Sequence, residues 1–75
     1  MAHIMRIMGG EGDTKLIWDT DKTDEVEAAR DTFKKLTKKG YRAFAVKKGG
    51  DKGEMIDEFD PNLEKIILAA PISGG

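Results

Sequence analysis

The fold is decided near the end of the chain, by the run Glu64-Lys65-Ile66-Ile67-Leu68-Ala69-Ala70. Its apolar residues are continuous rather than alternating, which is typical of a strand buried on both faces at the centre of a sheet. A helix over residues 62–70 is the competing interpretation, because Leu, Ala, Glu and Lys are good helix formers. The β-branched pair Ile66-Ile67 and the following Pro71 favour the strand.

A single helix is expected ahead of that strand. An apolar stripe at helical spacing marks it, formed by Val26, Ala29, Phe33 and Leu36. Thr23 is the predicted N-cap, and Gly40 stands where the first residue beyond the helix belongs. Acidic residues lie in the first turn and lysines in the last turns, which is the charge order that the helix dipole favours. Because the helix dipole accounts for the position of these lysines, we predict no function for them.

Four further segments have the composition of strands: residues 3–8, 14–19, 41–47 and 54–59. The first two flank a glycine-rich turn and predict an N-terminal hairpin. Leu16 and Trp18 share one face of the second segment, and Trp18 is predicted to lie in the core. His3 is expected to be solvated or disordered, and the Met-Ala-His start leaves open whether residues 1–4 are native.

The order of elements predicts an α+β domain: strand, strand, helix, strand, short strand, strand. The last strand is expected between the first and third strands and parallel to the first, in a mixed sheet of four or five strands with the helix across one face. A plain α+β meander with a helix on top contains the same elements, and the order of elements alone does not decide between the two topologies. At 75 residues, we expect one domain over residues 1–70 and a flexible tail over residues 71–75.

The composition excludes several classes of function. No cysteine is present, which excludes a disulfide framework, thiol catalysis and cysteine-type zinc sites. The single histidine excludes His-rich metal sites, so neither a metal ligand nor a catalytic residue is predicted. No apolar run reaches the length of a membrane span or of a signal peptide, and a cytoplasmic location is expected.

The net charge of −1 hides a basic middle between acidic flanks. Residues 30–52 carry 9 basic and 2 acidic side chains. A solvated helix end and hairpin accounts for this block, and a docking surface that steers a partner is the functional interpretation. Nucleic acid is not expected as a partner, because the chain as a whole is not basic and its pI is ≈ 5.8.

The sequence ends in Ala69-Ala70-Pro71-Ile72-Ser73-Gly74-Gly75, directly after the predicted central strand. With this ending and this order of elements, it resembles the ubiquitin-like family, whose fold is the β-grasp. The ending is most similar to that of small sulfur carriers and prokaryotic ubiquitin-like modifiers, many of which read Pro-Pro-Val-Ala-Gly-Gly. The resemblance covers the whole chain in element order and rests, at the level of residues, on the tail.

The resemblance implies a substrate of activation rather than an enzyme. An E1-like enzyme would bind ATP and adenylate the carboxylate of Gly75, and this chain would bind no cofactor itself. Sulfide then gives a thiocarboxylate that donates sulfur to a synthase, whereas a cysteine of the partner gives a thioester for transfer to target lysines. Gly74 and Gly75 lack a Cβ and can thread a narrow channel to the nucleotide. The sequence leaves open which route applies, and whether Gly75 is encoded or exposed by processing.

Five other residues are candidates for contacts with a partner. Pro71 and Ile72 either offer a rigid apolar grip before the glycines or simply end the strand. Arg42, Phe44 and Val46 share one face of the third strand and form a surface patch if the helix covers the other face; in the reversed register Phe44 and Val46 are core and the patch vanishes. The free protein is expected to be a monomer. The alternative function is a non-covalent β-grasp interaction domain with an incidental diglycine end.

Overall fold

The computed structural model describes residues 2–9, 12–46 and 53–71, which form one helix packed across a mixed sheet of five strands. In chain order the elements are β1 (Ala2–Met8), β2 (Thr14–Asp19), α1 (Thr23–Lys38), β3 (Arg42–Val46), β4 (Glu54–Ile56) and β5 (Lys65–Ala69). The predicted α+β class is confirmed. The segment 54–59, expected as a shorter strand or a bent segment, forms the three-residue strand β4 and then bends after Ile56.

The strands lie in the order β2-β1-β5-β3-β4, so the last strand occupies the centre of the sheet. It runs parallel to β1, as predicted, and it pairs antiparallel with β3. The helix alternative for residues 62–70 is therefore wrong. The expectation that β5 is buried on both faces is also wrong: Ile66 and Leu68 are fully buried, but Ile67 is only half-buried. The reason is that α1 covers one face of the sheet alone.

The core lies between α1 and the face of the sheet that α1 covers. Its buried side chains are Met5, Trp18, Ala29, Phe33, Ala43, Ile66 and Leu68. The predicted helical stripe is confirmed, since two of its members are in this set and the other two, Val26 and Leu36, pack against it. The predicted burial of Trp18 is confirmed too.

The two ends of α1 are held in different ways. Thr23 is the first helical residue and not the N-cap, which is Lys22 and makes no side-chain cap. The Glu25 Oε1 atom instead accepts the backbone N–H of Asp19 at 3.0 Å, at the end of β2. At the C-terminal end of α1 the predicted role of Gly40 as the first residue beyond the helix is confirmed. Gly40 has a φ of +100° and donates its N–H to Thr37 O at 3.0 Å, while the next N–H bonds Leu36 O, which together form a Schellman motif.

His3 is ordered within β1, contrary to the expectation from sequence. Its Nδ1 lies 2.7 Å from Leu63 O, and its ring stacks on Trp18 with the centroids 5.4 Å apart. A carbonyl oxygen can only accept, so Nδ1 carries the hydrogen of this bond. The Trp18 Nε1–H in turn donates to Pro61 O at 3.0 Å. These contacts tie β1 and β2 to the segment that leads into β5.

Candidate partner-binding face and exit of the C-terminal segment

The chain leaves the sheet at the end of β5, between the end of β1 and the start of β3. Ala69 is paired with Met8 on one side and with Arg42 on the other. The next residue continues the ladder, because the Ala70 N–H donates to Met8 O at 2.9 Å. Pro71 follows as an exposed residue. The sheet thus holds the chain in place up to the residue before Pro71.

The remaining predicted tail residues, Ile72, Gly74 and Gly75, lie outside the described residues. Their roles in activation and conjugation stay predictions. What the structure adds is the position from which they begin, at one end of the central strand.

Two glycines with positive φ flank this exit. Gly9 directly follows β1, with a φ of +106°, and a Cβ placed on it would overlap the Cβ of Ala70. Gly40 follows α1, and a Cβ on it would lie 3.6 Å from the Cβ and Cγ atoms of Pro71. A positive φ disfavours other residues, and at Gly9 a Cβ would in addition require Ala70 to shift. We call these four residues the C-terminal exit.

The register of β3, which the sequence left open, places the candidate patch on the uncovered side of the sheet. Ala43 and Ala45 are buried towards α1. Arg42, Phe44 and Val46 alternate with them and point to the opposite face, where Arg42 is exposed and the other two are half-buried. The structure therefore brings these three candidates together, and Pro71 lies nearby.

Apolar side chains from all five strands share this uncovered side, which we call the open face. They are Ile17, Ile4, Ile67, Phe44 and Met55. The pairing register puts Ile4 opposite Ile17, and Phe44 between Ile67 and Met55. Ile17 and Met55 are 56% and 55% exposed, which makes them the most exposed large apolar residues of the described chain. Side chains of this kind contribute little to the core and mark contact surfaces when they are grouped.

The charged residues of the open face are mostly basic. Lys15, Arg6, Lys65 and Arg42 lie on it, each at a strand position that alternates with the covered face. One of them, Arg6, approaches Asp13 at 3.6 Å. This pair is half-exposed and holds the side chains together only weakly. A partner suited to the face presents apolar side chains together with acidic ones.

A cleft of ≈ 540 Å³ joins the open face to the C-terminal exit. Its lining residues are Gly40, Arg42, Phe44, Ala69, Ala70 and Pro71. A partner that occupies the cleft therefore touches the candidate patch and the root of the tail at once.

Sequence reasoning missed most of the open face, and it missed that Gly9 and Gly40 lie beside Ala70 and Pro71 at the exit. One signal was present: Ile17 alternates with the core residues Leu16 and Trp18, so it had to point away from the core. Nothing local marked Gly9, because its close neighbour Ala70 is distant in sequence.

Within the part of the chain that the structure describes, no three His, Cys, Asp or Glu side chains are grouped as metal ligands would be. The single described helix is neither long nor apolar enough to cross a membrane. No protein-family model, curated protein or solved structure matches the chain.

Proposed function

We propose that this chain is a ubiquitin-like protein of the β-grasp fold, and that the carboxylate of Gly75 is adenylated by an E1-like enzyme. The observation that carries the proposal is the strand order β2-β1-β5-β3-β4 around one helix. In this order the strand that leads to the Gly74-Gly75 ending is the central one. The fold thus supports a rigid domain with a reactive end, as the sequence resemblance implies.

The proposed chemistry uses no catalytic group of this chain. A carboxylate oxygen of Gly75 attacks the α-phosphorus of ATP on the partner, pyrophosphate leaves, and an acyl adenylate forms. A sulfur nucleophile then displaces AMP. If it is sulfide, the product is a thiocarboxylate; if it is a cysteine thiolate of the partner, the product is a thioester. A target lysine amine can displace that thiolate and form an isopeptide bond.

The geometry of the exit supports this use of the tail. The chain is held by the sheet up to Ala70, whose N–H donates to Met8 O. Residues 72–75 span at most about 14 Å when fully extended, so the activating site must come close to the domain. Contacts between the partner and the domain surface beside the exit are therefore required.

The open face supplies such a surface. Arg42, Phe44 and the cleft beside them adjoin Pro71. A partner with an apolar contact for Phe44 and an acidic one for Arg42 would be held next to the root of the tail. Val46 extends the same row of the strand.

A second candidate function is a non-covalent interaction domain. It is favoured by the apolar groups of the open face, Ile17 and Met55, that lie away from the exit. The two functions differ in one requirement: activation needs a free carboxylate on Gly75, whereas non-covalent binding tolerates an extension there.

The test is mass spectrometry of N-terminally tagged protein recovered from its own host. A sulfur carrier shows an intact mass in which one oxygen is replaced by sulfur. A modifier gives tryptic branches on target lysines that consist of residues 66–75, because trypsin cuts after Lys65. The matched controls are Gly74→Val and deletion of Gly75, which change only residues outside the described domain. If neither product appears, or if the control variants form them equally well, activation is wrong and non-covalent binding is favoured.

A further inference from the structure

The C-terminal exit combines four restrictions on the backbone at one point. Ala70 precedes a proline and is therefore confined to extended geometry. Pro71 has its own φ fixed by the ring. Because Gly9 has no Cβ, the Ala70 side chain can lie closer to it than to any other residue type. Gly40 lies next to the Pro71 ring. The backbone is thus restricted up to Pro71, the last described residue, before any partner arrives.

The two glycines come from different parts of the fold. Gly9 is placed by β1, whose last residue, Met8, accepts the Ala70 N–H. Gly40 is placed by the Schellman motif that ends α1. Because β1 and β3 lie on opposite sides of β5, the residues that follow β1 and precede β3 flank the exit from both sides.

We propose that Gly9, and to a smaller degree Gly40, are positioning residues that aim the C-terminal segment at the activating partner. This inference rests on the proposed function and adds a requirement to it. A segment whose first residues are already aimed loses less conformational freedom when it enters a partner's channel. Disturbing the exit should therefore weaken engagement of the partner and leave the chemical step unchanged.

The first measurement is the amide hydrogen exchange of Ala70, followed by NMR. In Gly9→Ala we expect about a tenfold loss of protection at this amide, with the amides inside β5 unchanged. Gly12→Ala is the matched control. Gly12 also has a positive φ, of +146°, but among the described residues no neighbouring atom lies within 4 Å of a Cβ built on it.

The second measurement is the initial rate of ATP-dependent modification of the terminal carboxylate, against concentration of the chain, in one batch of host extract. In Gly9→Ala we expect the half-saturating concentration to rise about fivefold while the maximal rate stays the same. Gly40→Ala should produce a smaller rise, because its Cβ meets Pro71 at an ordinary contact distance of 3.6 Å. Gly12→Ala should match the wild type.

A compensating variant separates positioning from general damage to the fold. The closest atom to a new Cβ at Gly9 is the Cβ of Ala70, and the next is Ala70 N at 3.3 Å. Gly9→Ala combined with Ala70→Gly removes the overlap while keeping the unfavourable φ. We expect the double variant to recover part of the exchange protection and part of the half-saturating concentration, because the overlap is gone but residue 9 keeps its unfavourable φ and residue 70 gains freedom.

Three outcomes overturn the inference: an unchanged half-saturating concentration in Gly9→Ala, the same rise in Gly12→Ala, or no recovery in the double variant. Near-UV circular dichroism of Trp18 checks that each variant is folded. If Gly9→Ala does not fold, Pro71→Gly takes its place, since it frees the direction of the chain beyond the last strand. An unchanged value there overturns the inference as well.

Failure of the proposed function looks different. In that case wild-type protein is not modified in the extract at all. If the wild type is modified and the glycine variants are modified equally well, the positioning role alone is wrong.

Discussion

The two faces of the sheet are made by the same strands but differ in what they contain. On the covered face the described residues bury Met5, Trp18, Ile66 and Leu68 almost completely, with no charged group among them. On the open face apolar side chains stand between lysines and arginines, and Ile17 is more than half exposed. The covered face accounts for stability. The exposed apolar residues of the open face, Ile17 and Met55, add little to it, which is why we propose this face as the surface that contacts a partner.

The largest expected effect lies on the covered face. Leu68→Ala removes a fully buried side chain of β5 and should lower the free energy of unfolding by about 3 kcal/mol. Chemical denaturation followed by Trp18 fluorescence measures this change. For a small domain of marginal stability, the loss brings the protein close to unfolding at room temperature. A loss below about 1 kcal/mol would mean that the core closes around the gap.

The second effect lies on the open face. It should change the interaction with the partner and leave the stability of the domain unchanged. Arg42→Glu should reduce modification of the terminal carboxylate about tenfold, because it puts a negative charge beside the exit. The melting temperature should be unchanged, since Arg42 is exposed. The matched control is Lys15→Glu, which makes the same charge change on the edge strand β2, away from the exit. Equal losses in the two variants would indicate a general charge effect on association.

The third effect tests whether the His3 side chain stabilises the domain. His3→Ala removes the hydrogen bond to Leu63 O and the stack on Trp18, and should cost about 1 kcal/mol of unfolding free energy. His3→Phe keeps an aromatic ring there and should lose only part of this. Thermal denaturation compares both with the wild type. If both variants are as stable as the wild type, β1 is not held by His3 and the original expectation of a solvated side chain stands.

The smallest effect sharpens the contrast between the faces. Ile17→Thr keeps a β-branched residue on the open face and should change the unfolding free energy by less than about 0.5 kcal/mol. Its neighbour Leu16 points to the other face, so Leu16→Thr is the matched control and should destabilise clearly more. Denaturation curves of the two variants give the comparison. Equal stability changes would contradict the assignment of the two faces.

Local patterns were sufficient to predict the helix and the strands, and the order of these elements predicted the central position of β5. The helical stripe around Ala29 and Phe33, and the apolar run that begins at Ile66, are both properties of neighbouring residues. The register of β3 was not predictable in this way, because alanines alternate there with Phe44 and Val46, and both sets are apolar. The helix packs on the alanines and leaves the larger side chains on the open face.

The contacts that shape the candidate site are long-range, and this is why the sequence did not show them. His3 contacts Leu63, and Gly9 meets Ala70, each across most of the chain. A glycine beside a turn is ordinary in sequence, and its close neighbour becomes visible only after β1 and β5 are paired. The open face follows from register in the same way, since a slip of one residue would exchange its side chains with the core.

The pairing of the first strand with the last has a consequence for how the protein folds during its synthesis. β1 and β5 join residues about sixty positions apart, so closing the sheet requires nearly the whole chain and carries the entropy of a long loop. A nascent chain that stops before Lys65 lacks the middle of the sheet, including Ile66, the partner of Met5 in the pairing of β1 with β5. We therefore expect folding to be delayed until β5 has been synthesised, and truncated products to remain open to proteases.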